Sequence, residues 1–404
     1  MYDYIIIGGG IAGLYMNYLL KNKNTLLLEK NSYLGGRAIE ENFHNTKIKL
    51  GAGIGALHNK HLLHLLNKLK IKYNIYPSTI NLAFNTNFDM KKAVKLIITK
   101  YNLLKKINHK DIKYLTVKQF IIKYFGKKFF VEYDKIAEYK DYHDSDLEYY
   151  IKYYDIKDHI PSPYKLVSIS WTDLIKKLKK KLNKNKNKIK LNFEVTDIKY
   201  FSLQSESYYL INNKYKTKNI ISALTLHPLQ NIINNTNFSL KIDYNKFIGT
   251  VPFMRIYTYH KDGHNLNQFI ERYNIVDNEL EKIIVMDEKV LMFSYSDNKN
   301  AEILYKLYNK NKNNFKNILI KLLKNIIKTS EKDFVIEIDD LKIAYWKEGI
   351  HYFKPQKNNN LKKIVKLLSN PHDKFYVIGE MLSFKQGWVE GCIESANRLF
   401  TLIK

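Results

Sequence analysis

At 404 residues the chain is longer than one hydrophobic core usually holds, so two lobes are expected, and 45% hydrophobic residues are enough to fill them. The 67 Lys and Arg outnumber 39 Asp and Glu to leave +28, but no aromatic RNA-binding motif or zinc-finger spacing accompanies the charge, so nucleic acid is not an expected partner. A single cysteine, Cys392, excludes an internal disulfide and points to a reducing, cytoplasmic setting.

Further exclusions come from the chain's apolar and polar runs. Asp3 interrupts the apolar start and no basic segment precedes it, so a signal peptide is not expected. No run of about 18 uncharged apolar residues exists, so no membrane span is expected. Lys, Asn, Ile and Tyr crowd the sequence, and stretches such as KLKKKLNKNKNKIK (177–190) fit drift in an A/T-rich genome.

Residues 2–7, YDYIII, alternate little and are rich in β-branched side chains, which suits a strand buried on both faces. The isoleucines stop at Gly8-x-Gly10-x-x-Gly13, and residues 14–20 then take helix-compatible spacing. Strand, tight turn and helix in this order suit a dinucleotide. Gly8 permits the turn, Gly10 lets a pyrophosphate approach the backbone, and Gly13 lets helix and strand pack closely. The helix start offers free N–H groups and a partial positive charge. TLLLEK (25–30) predicts a second parallel strand ending at Glu29, about 20 residues past the first glycine, where a ribose-binding carboxylate belongs. An acid there favours a free 2′-hydroxyl over a 2′-phosphate.

Gly35-Gly36-Arg37 follows in EKNSYLGGRA (29–38). Its glycines allow a second close backbone approach, and the planar fork of Arg37 can reach phosphate oxygens. This set, GxGxxG then Glu then GGR, resembles the flavin-containing amine oxidase family, the monoamine and polyamine oxidases, in which it holds FAD. LGAGIGALHNKHLLHLLNKL (50–69) is similar to the family's glycine-rich turn beside the flavin, with Gly53 inside it. FYVIGEMLSFKQGWVEGCIESANRLF (375–400) resembles the family's closing motif. The resemblance implies that Gly379-Glu380 ends a strand, with Glu380 bonding the flavin's ribityl or phosphate region. It places Val389, at the start of the last helix, beside the pyrimidine end of the ring. It also implies a strand valine whose backbone meets the adenine, with Val195 as the candidate. The fold implied is α/β: a Rossmann-type FAD-binding domain over 1–78, 165–228 and 366–404. An interleaved α+β substrate domain, roofed by a mixed sheet, would take 79–164 and 229–365.

In the middle of the chain, SWTDLIKKLKKKL (170–182) sets Leu174, Leu178 and Leu182 on one helical face with Ser170 as a possible cap. KLNFEVTDIKYF (190–201) and NIISAL (219–224) read as strands. GTVPFMRIYTYH (249–260) and VIEIDDLKIAYWKEGIHYF (335–353) alternate apolar and aromatic residues and predict a sheet over the flavin. Asn/Lys runs at 183–188, 309–314 and 356–363 read as loops.

The chemistry implied by the resemblance is hydride transfer from a C–H beside an amine nitrogen to FAD, with electrons passing to oxygen. Three departures from the family pattern bear on it. YWKEGIHYFKP (345–355) lacks the cysteine that attaches FAD in some members, so non-covalent FAD is expected and Cys392 is expected only to pack. Arg255 stands at or near the position of the family's strand lysine, and it can orient water or bind an anion but does not shuttle a proton. Trp388 matches one of the two aromatics that sandwich the substrate, while the other position falls near Gly349, leaving Tyr352 or Trp346 to substitute.

A cationic amine would meet repulsion from the basic chain unless a local acidic patch receives it. The segment 132–158 concentrates Asp134, Glu138, Asp141, Asp144, Asp146 and Glu148 among tyrosines, a composition able to hold ammonium groups. His58, His61 and His64 recur every three residues, but no cysteine or nearby acid completes a metal site, and none is expected. A desaturase-like or porphyrinogen-oxidase-like enzyme keeps the same fold with another substrate. RIYTYH and YWKEGIHYFKP resemble homologues in large DNA viruses, which carries a third reading, a low-turnover flavoprotein with a structural, virion-associated role.

Overall fold

Residues 2–7 begin the architecture as expected. In the computed structural model, which describes residues 1–107, 112–154, 164–202, 206–238, 242–327, 335–356 and 360–404, they form the strand Tyr2–Ile7 at the centre of a seven-stranded sheet. Thr25–Leu28 pairs with it in parallel on one side and Tyr215–Ser222 in parallel on the other. Asn187–Lys190 extends the sheet beyond Thr25–Leu28, and Phe375–Val377 joins the outer edge of Tyr215–Ser222, both in parallel. An antiparallel pair, Ile198–Ser202 and Ser207–Ile211, completes it.

The isoleucine run follows from burial on both faces. Tyr4 and Ile6 belong to one apolar cluster, Ile5 and Ile7 to another on the opposite face. Leu27 and its neighbours Leu26 and Leu28 divide in the same way. With no wet face, the strand has no reason to alternate. Ile5 and Ile6 are fully buried, each contributing about 2 kcal/mol to the core. The helix Ile11–Leu19 packs back on this strand at Gly13, where an added Cβ would lie 2.0 Å from the Gly8 carbonyl oxygen.

A second, six-stranded sheet stands over the first. Its order is Asp340–Phe353, Ile248–Tyr259, Val290–Asp297, Lys282–Val285, Tyr273–Ile275 and Asn81–Leu82. Only the last pairing is parallel, so the sheet is mixed. One face carries the helices Asn298–Lys310 and Phe315–Ile327 on a core that includes Phe293, Leu304, Phe315 and Leu319. The helices Met90–Ile107, Val117–Phe125, Lys127–Ile136 and Leu147–Lys152 build a separate core around Phe120, Tyr133 and Tyr150.

Several expectations are corrected. KLNFEVTDIKYF is not one strand: Asn187–Lys190 and Ile198–Ser202 are separate, and 191–197 cross between them outside any strand. Val195 therefore lies on a connection. The Asn/Lys run 183–188 ends inside Asn187–Lys190, because Asn187 is buried and its side chain bonds the Leu20 and Lys23 carbonyls and Thr25 Oγ1. Ser170 caps Trp171–Lys180 by accepting from Asp173 N, and Leu174 and Leu178 are buried, but Leu182 lies beyond the helix end. His58 precedes the helix Lys60–Lys68, so the three histidines do not share it. In the run 356–363, the helix Leu361–Ser369 has already begun, and 357–359 lie outside the described residues. No helix among the described residues is long and apolar enough to cross a membrane.

Candidate active site

Between the two sheets lies one cavity of about 1440 Å³, larger than the ~300–1,000 Å³ that holds a drug-sized ligand. A cofactor and a substrate can share it.

Its first end is made by helix starts and glycines. Gly10 is extended, precedes Ile11–Leu19, and supplies no side-chain cap, and no acid occupies that helix's first turn. A Cβ on Gly10 would meet nothing within 4 Å, so the residue faces open cavity. Gly8 and Gly36 take positive φ (105° and 59°), backbone that other residues adopt only with strain. The Glu29 carboxylate is buried and aimed at this turn, with Oε2 accepting from Gly9 N at 2.6 Å and Oε1 from Asn31 N at 2.8 Å. At the far side, Trp388 precedes Val389–Ile403, also without a side-chain cap. Two helix N-termini thus open uncapped into one space, each with N–H groups and partial positive charge available to a ligand.

A charged chain fixes the middle. Arg37 Nη2 meets Glu380 Oε2 at 3.0 Å, and Nη1 donates to the Glu348 and Gly349 carbonyls. Glu380 also accepts from His351 Nδ1 at 2.6 Å, from His351 N at 3.2 Å and from Gly387 N at 2.7 Å. Burial alone would raise the Glu380 pKa, but His351 and Arg37 outweigh it and hold it at about 2. The carbonyls that receive Arg37 lie where the pairing of Ile248–Tyr259 with Asp340–Phe353 slips in register, so the irregular backbone turns them toward the site.

The second end lies under the roof sheet. Arg255 is 3% exposed. Its Nη1 donates to Lys49 O at 2.9 Å, its guanidinium stands 4.3 Å from the Tyr295 ring centre, and Nε has no hydrogen-bond partner. Burial opposes its charge, but the Tyr257 and Tyr295 hydroxyls outweigh that and keep it protonated. Lys282 is buried against the rings of Tyr139 and Tyr295, 4.4 Å from each centre, and donates to Glu138 O. Tyr273 Oη donates to Glu138 Oε1 at 2.8 Å and Tyr154 Oη to Asp141 Oδ1 at 2.8 Å. Burial raises both acids, Asp141 to about 7 with help from Asp297.

The cavity lining brings together Gly8, Gly10, Glu29, Gly36, Arg37 and Gly53 from the N-terminal motifs. Val195, Arg255, Gly379, Glu380, Trp388 and Val389 join them from the rest of the chain. Gly13 lies behind the lining, at the helix–strand contact. Tyr352 is displaced from its expected place: its ring covers Gly249, where a Cβ would meet it at 2.2 Å, and Trp346 and Ile350 line the cavity instead. Cys392, expected only to pack, borders the cavity, and burial pushes its thiol up to about 11.

Among the described residues of the acidic segment, only the acids Glu138 and Asp141 face the cavity. Asp134 bonds Tyr142 and His143, Asp146 caps Leu147–Lys152, Glu148 pairs with Lys105 and Lys152, and Asp144 is exposed, while 155–158 lie outside the described residues. Among the described residues no group of three His, Cys, Asp or Glu gathers as a metal site. Sequence reasoning missed His351, Lys49, Tyr139 and Tyr295. His351 adjoins Tyr352 on one strand, where neighbours face opposite ways, so choosing the tyrosine excluded the histidine.

Residues 6–69 match the family model described as an NAD(P)-binding Rossmann-like domain. Across 100% of this chain the structure is similar to wild-type putrescine oxidase bound to putrescine, at TM-score 0.73 and 14% identity over 98% of that chain. A triple mutant of putrescine oxidase superposes at TM-score 0.75 with 13% identity, again over 100% and 98% of the two chains. Cyclohexylamine oxidase from Brevibacterium oxydans IH-35A gives TM-score 0.73 at 14% identity with the same coverage. The chain opens with a Rossmann-like dinucleotide-binding domain and has, from end to end, the fold of the flavin amine oxidases.

Proposed function

We propose that the protein is an FAD-dependent oxidoreductase acting on a small amine, with FAD held non-covalently between a flavin lobe (1–78, 165–228, 366–404) and a substrate lobe (79–164, 229–365). The observation that carries this reading is the continuity of the cavity. It runs from two uncapped helix starts and a glycine cradle to a buried chamber of tyrosines and carboxylates. When bound, FAD supplies the two-electron acceptor, taking hydride equivalents from a C–H beside an amine nitrogen and passing electrons to oxygen.

The protein's part is holding and excluding. The Ile11–Leu19 N-terminus and Gly10 would receive the diphosphate, Glu29 the ribose, and the Val389–Ile403 N-terminus the pyrimidine edge. Glu380 and Arg37 brace the wall between them. Trp388, Trp346 and Tyr295 close the substrate space against water, and Asp141 and Glu138 face the amine. Cys392 stays a thiol at neutral pH, which makes it a poor nucleophile toward a cofactor.

The test is spectroscopic. Purified protein should absorb near 450 nm, acid precipitation should release the colour to the supernatant, and an amine should bleach it anaerobically. Protein that neither carries nor takes up flavin overturns the reading. Colour retained on the precipitated polypeptide overturns only the non-covalent part.

A further inference from the structure

The roof strand Ile248–Tyr259 brings a buried cation to the cavity without a buried anion to match. Arg255 has a carbonyl, a phenol and a ring around it, and no carboxylate of the described residues stands within ion-pair distance. Its guanidinium lies against Gly53, where a Cβ would be 2.9 Å from Nη2. Lys49 reaches the same turn, with Nζ donating to Gly53 O at 2.7 Å. Lys47 and Arg272 are exposed and line the same cavity, so cations lead inward from its rim. Across the chamber the two carboxylates are already occupied by phenols, Glu138 by Tyr273 and Asp141 by Tyr154. A charge buried without a counter-charge is costly, and a ligand that supplies the counter-charge removes that cost.

We propose that Arg255 and Lys49 form an anion seat that receives the carboxylate of the substrate, so that the substrate class is an amine that also bears a carboxylate. The proposal rests on the flavin-dependent amine oxidation argued above and narrows it. A substrate of this class sets its carboxylate against Arg255 and its nitrogen toward Asp141 and Glu138. A purely cationic amine brings no carboxylate of its own to offset the repulsion of Arg255. Burial raises both acids and so weakens their charge at neutral pH, while Lys49, lowered to about 8, stays mostly protonated beside Arg255.

The test uses benzoate as the carboxylate probe on purified wild-type protein and on the Arg255→Met, Arg255→Lys and Lys49→Met variants. Binding is read twice, by perturbation of the flavin spectrum and by the shift in thermal midpoint. Benzoate should bind wild type saturably, about 10- to 100-fold more weakly after Arg255→Met, and with partial recovery in Arg255→Lys. In anaerobic bleaching, 2-aminobutyrate or 4-aminobutyrate should outpace n-butylamine. Equal benzoate affinity in wild type and Arg255→Met overturns the seat, and n-butylamine bleaching as fast as both amino acids overturns the substrate class. If benzoate does not bind and Arg255→Met shifts only the flavin's reduction potential, the anion is the reduced cofactor and the proposal falls. Protein without absorbance near 450 nm overturns the flavin reading instead, while the thermal shift by benzoate still decides the seat. Lys49→Met, half-buried and off the roof sheet, keeps the test open if Arg255→Met does not fold.

Discussion

Single residues at the first turn separate folding from binding. Gly10 and Gly13 belong to the same motif, but a Cβ on Gly13 would sit 2.0 Å from Gly8 O, whereas one on Gly10 would meet nothing within 4 Å. Gly13→Ala must push the helix off the strand, an overpacking cost of about 1–3 kcal/mol or more. Gly10→Ala leaves the packing intact and occupies the cradle. The expected outcome is that Gly13→Ala lowers the thermal midpoint of the apoprotein, while Gly10→Ala keeps that midpoint and loses flavin, measured as the 450 to 280 nm absorbance ratio. A Gly10→Ala protein that retains full flavin places the diphosphate elsewhere. The turn was legible because these glycines serve backbone geometry, which leaves a trace in the sequence. Arg255 was legible as a residue but not in its surroundings, since Lys49 O, Tyr257 and the Tyr295 ring come from separate strands.

At the scale of elements, some contacts are made by one helix for another. The helix Lys60–Lys68 begins without a side-chain cap from Asn59. Glu390, in the first turn of Val389–Ile403, accepts instead from His61 N at 3.0 Å and Leu62 N at 2.8 Å. One carboxylate thereby satisfies two orphan N–H groups of another helix and ties both helices beside the cavity. Glu390→Gln should cost on the order of 1–3 kcal/mol, read as a fall in denaturation midpoint, and should loosen the Trp388 side of the site. An unchanged midpoint would show water replacing the carboxylate without loss. Such a tie is invisible in sequence because its partners are 328 and 329 residues apart. The irregular pairing near Gly349 was equally hidden. A period-2 pattern assigns faces along a regular strand, and the register slip that turns the Glu348 and Gly349 carbonyls to Arg37 breaks that period. The strands 2–7 and 25–28 were readable for the opposite reason, being regular, parallel and buried on both faces.

For the whole molecule, buried carboxylates at the two ends of the cavity pull stability in opposite directions with pH. Glu380 has a folded pKa of about 2 against an ordinary 4.5. The unfolded chain takes up that proton first on acidification, so the Glu380 contribution is present above about 4.5 and is lost toward 2. At the other end, burial and Asp297 raise Asp141 to about 7 and, behind the lining, Glu281 to about 8, with Lys282 and Lys140 only partly opposing. Here the native state keeps protons that the unfolded chain has released. That contribution is full at low pH and declines as pH rises from about 4 to about 8. The share of stability that these acids supply is therefore greatest near pH 4.5–5, while His260, which burial lowers to about 4, adds an opposing rise between about 4 and 6.5. The measurement is the thermal midpoint from pH 3 to 9. Asp141→Asn should make the decline above pH 5 shallower, leaving the Glu281 share and the acid branch in place, while Glu380→Gln should make only the acid branch shallower. An Asp141→Asn variant whose midpoint follows the wild-type pH dependence above pH 5 would mean that this acid is ionised in the native state, and the chamber under the roof sheet would then be anionic. A cationic amine would be the better fit to such a chamber, so this titration of the unliganded protein bears directly on which substrates Arg255 admits.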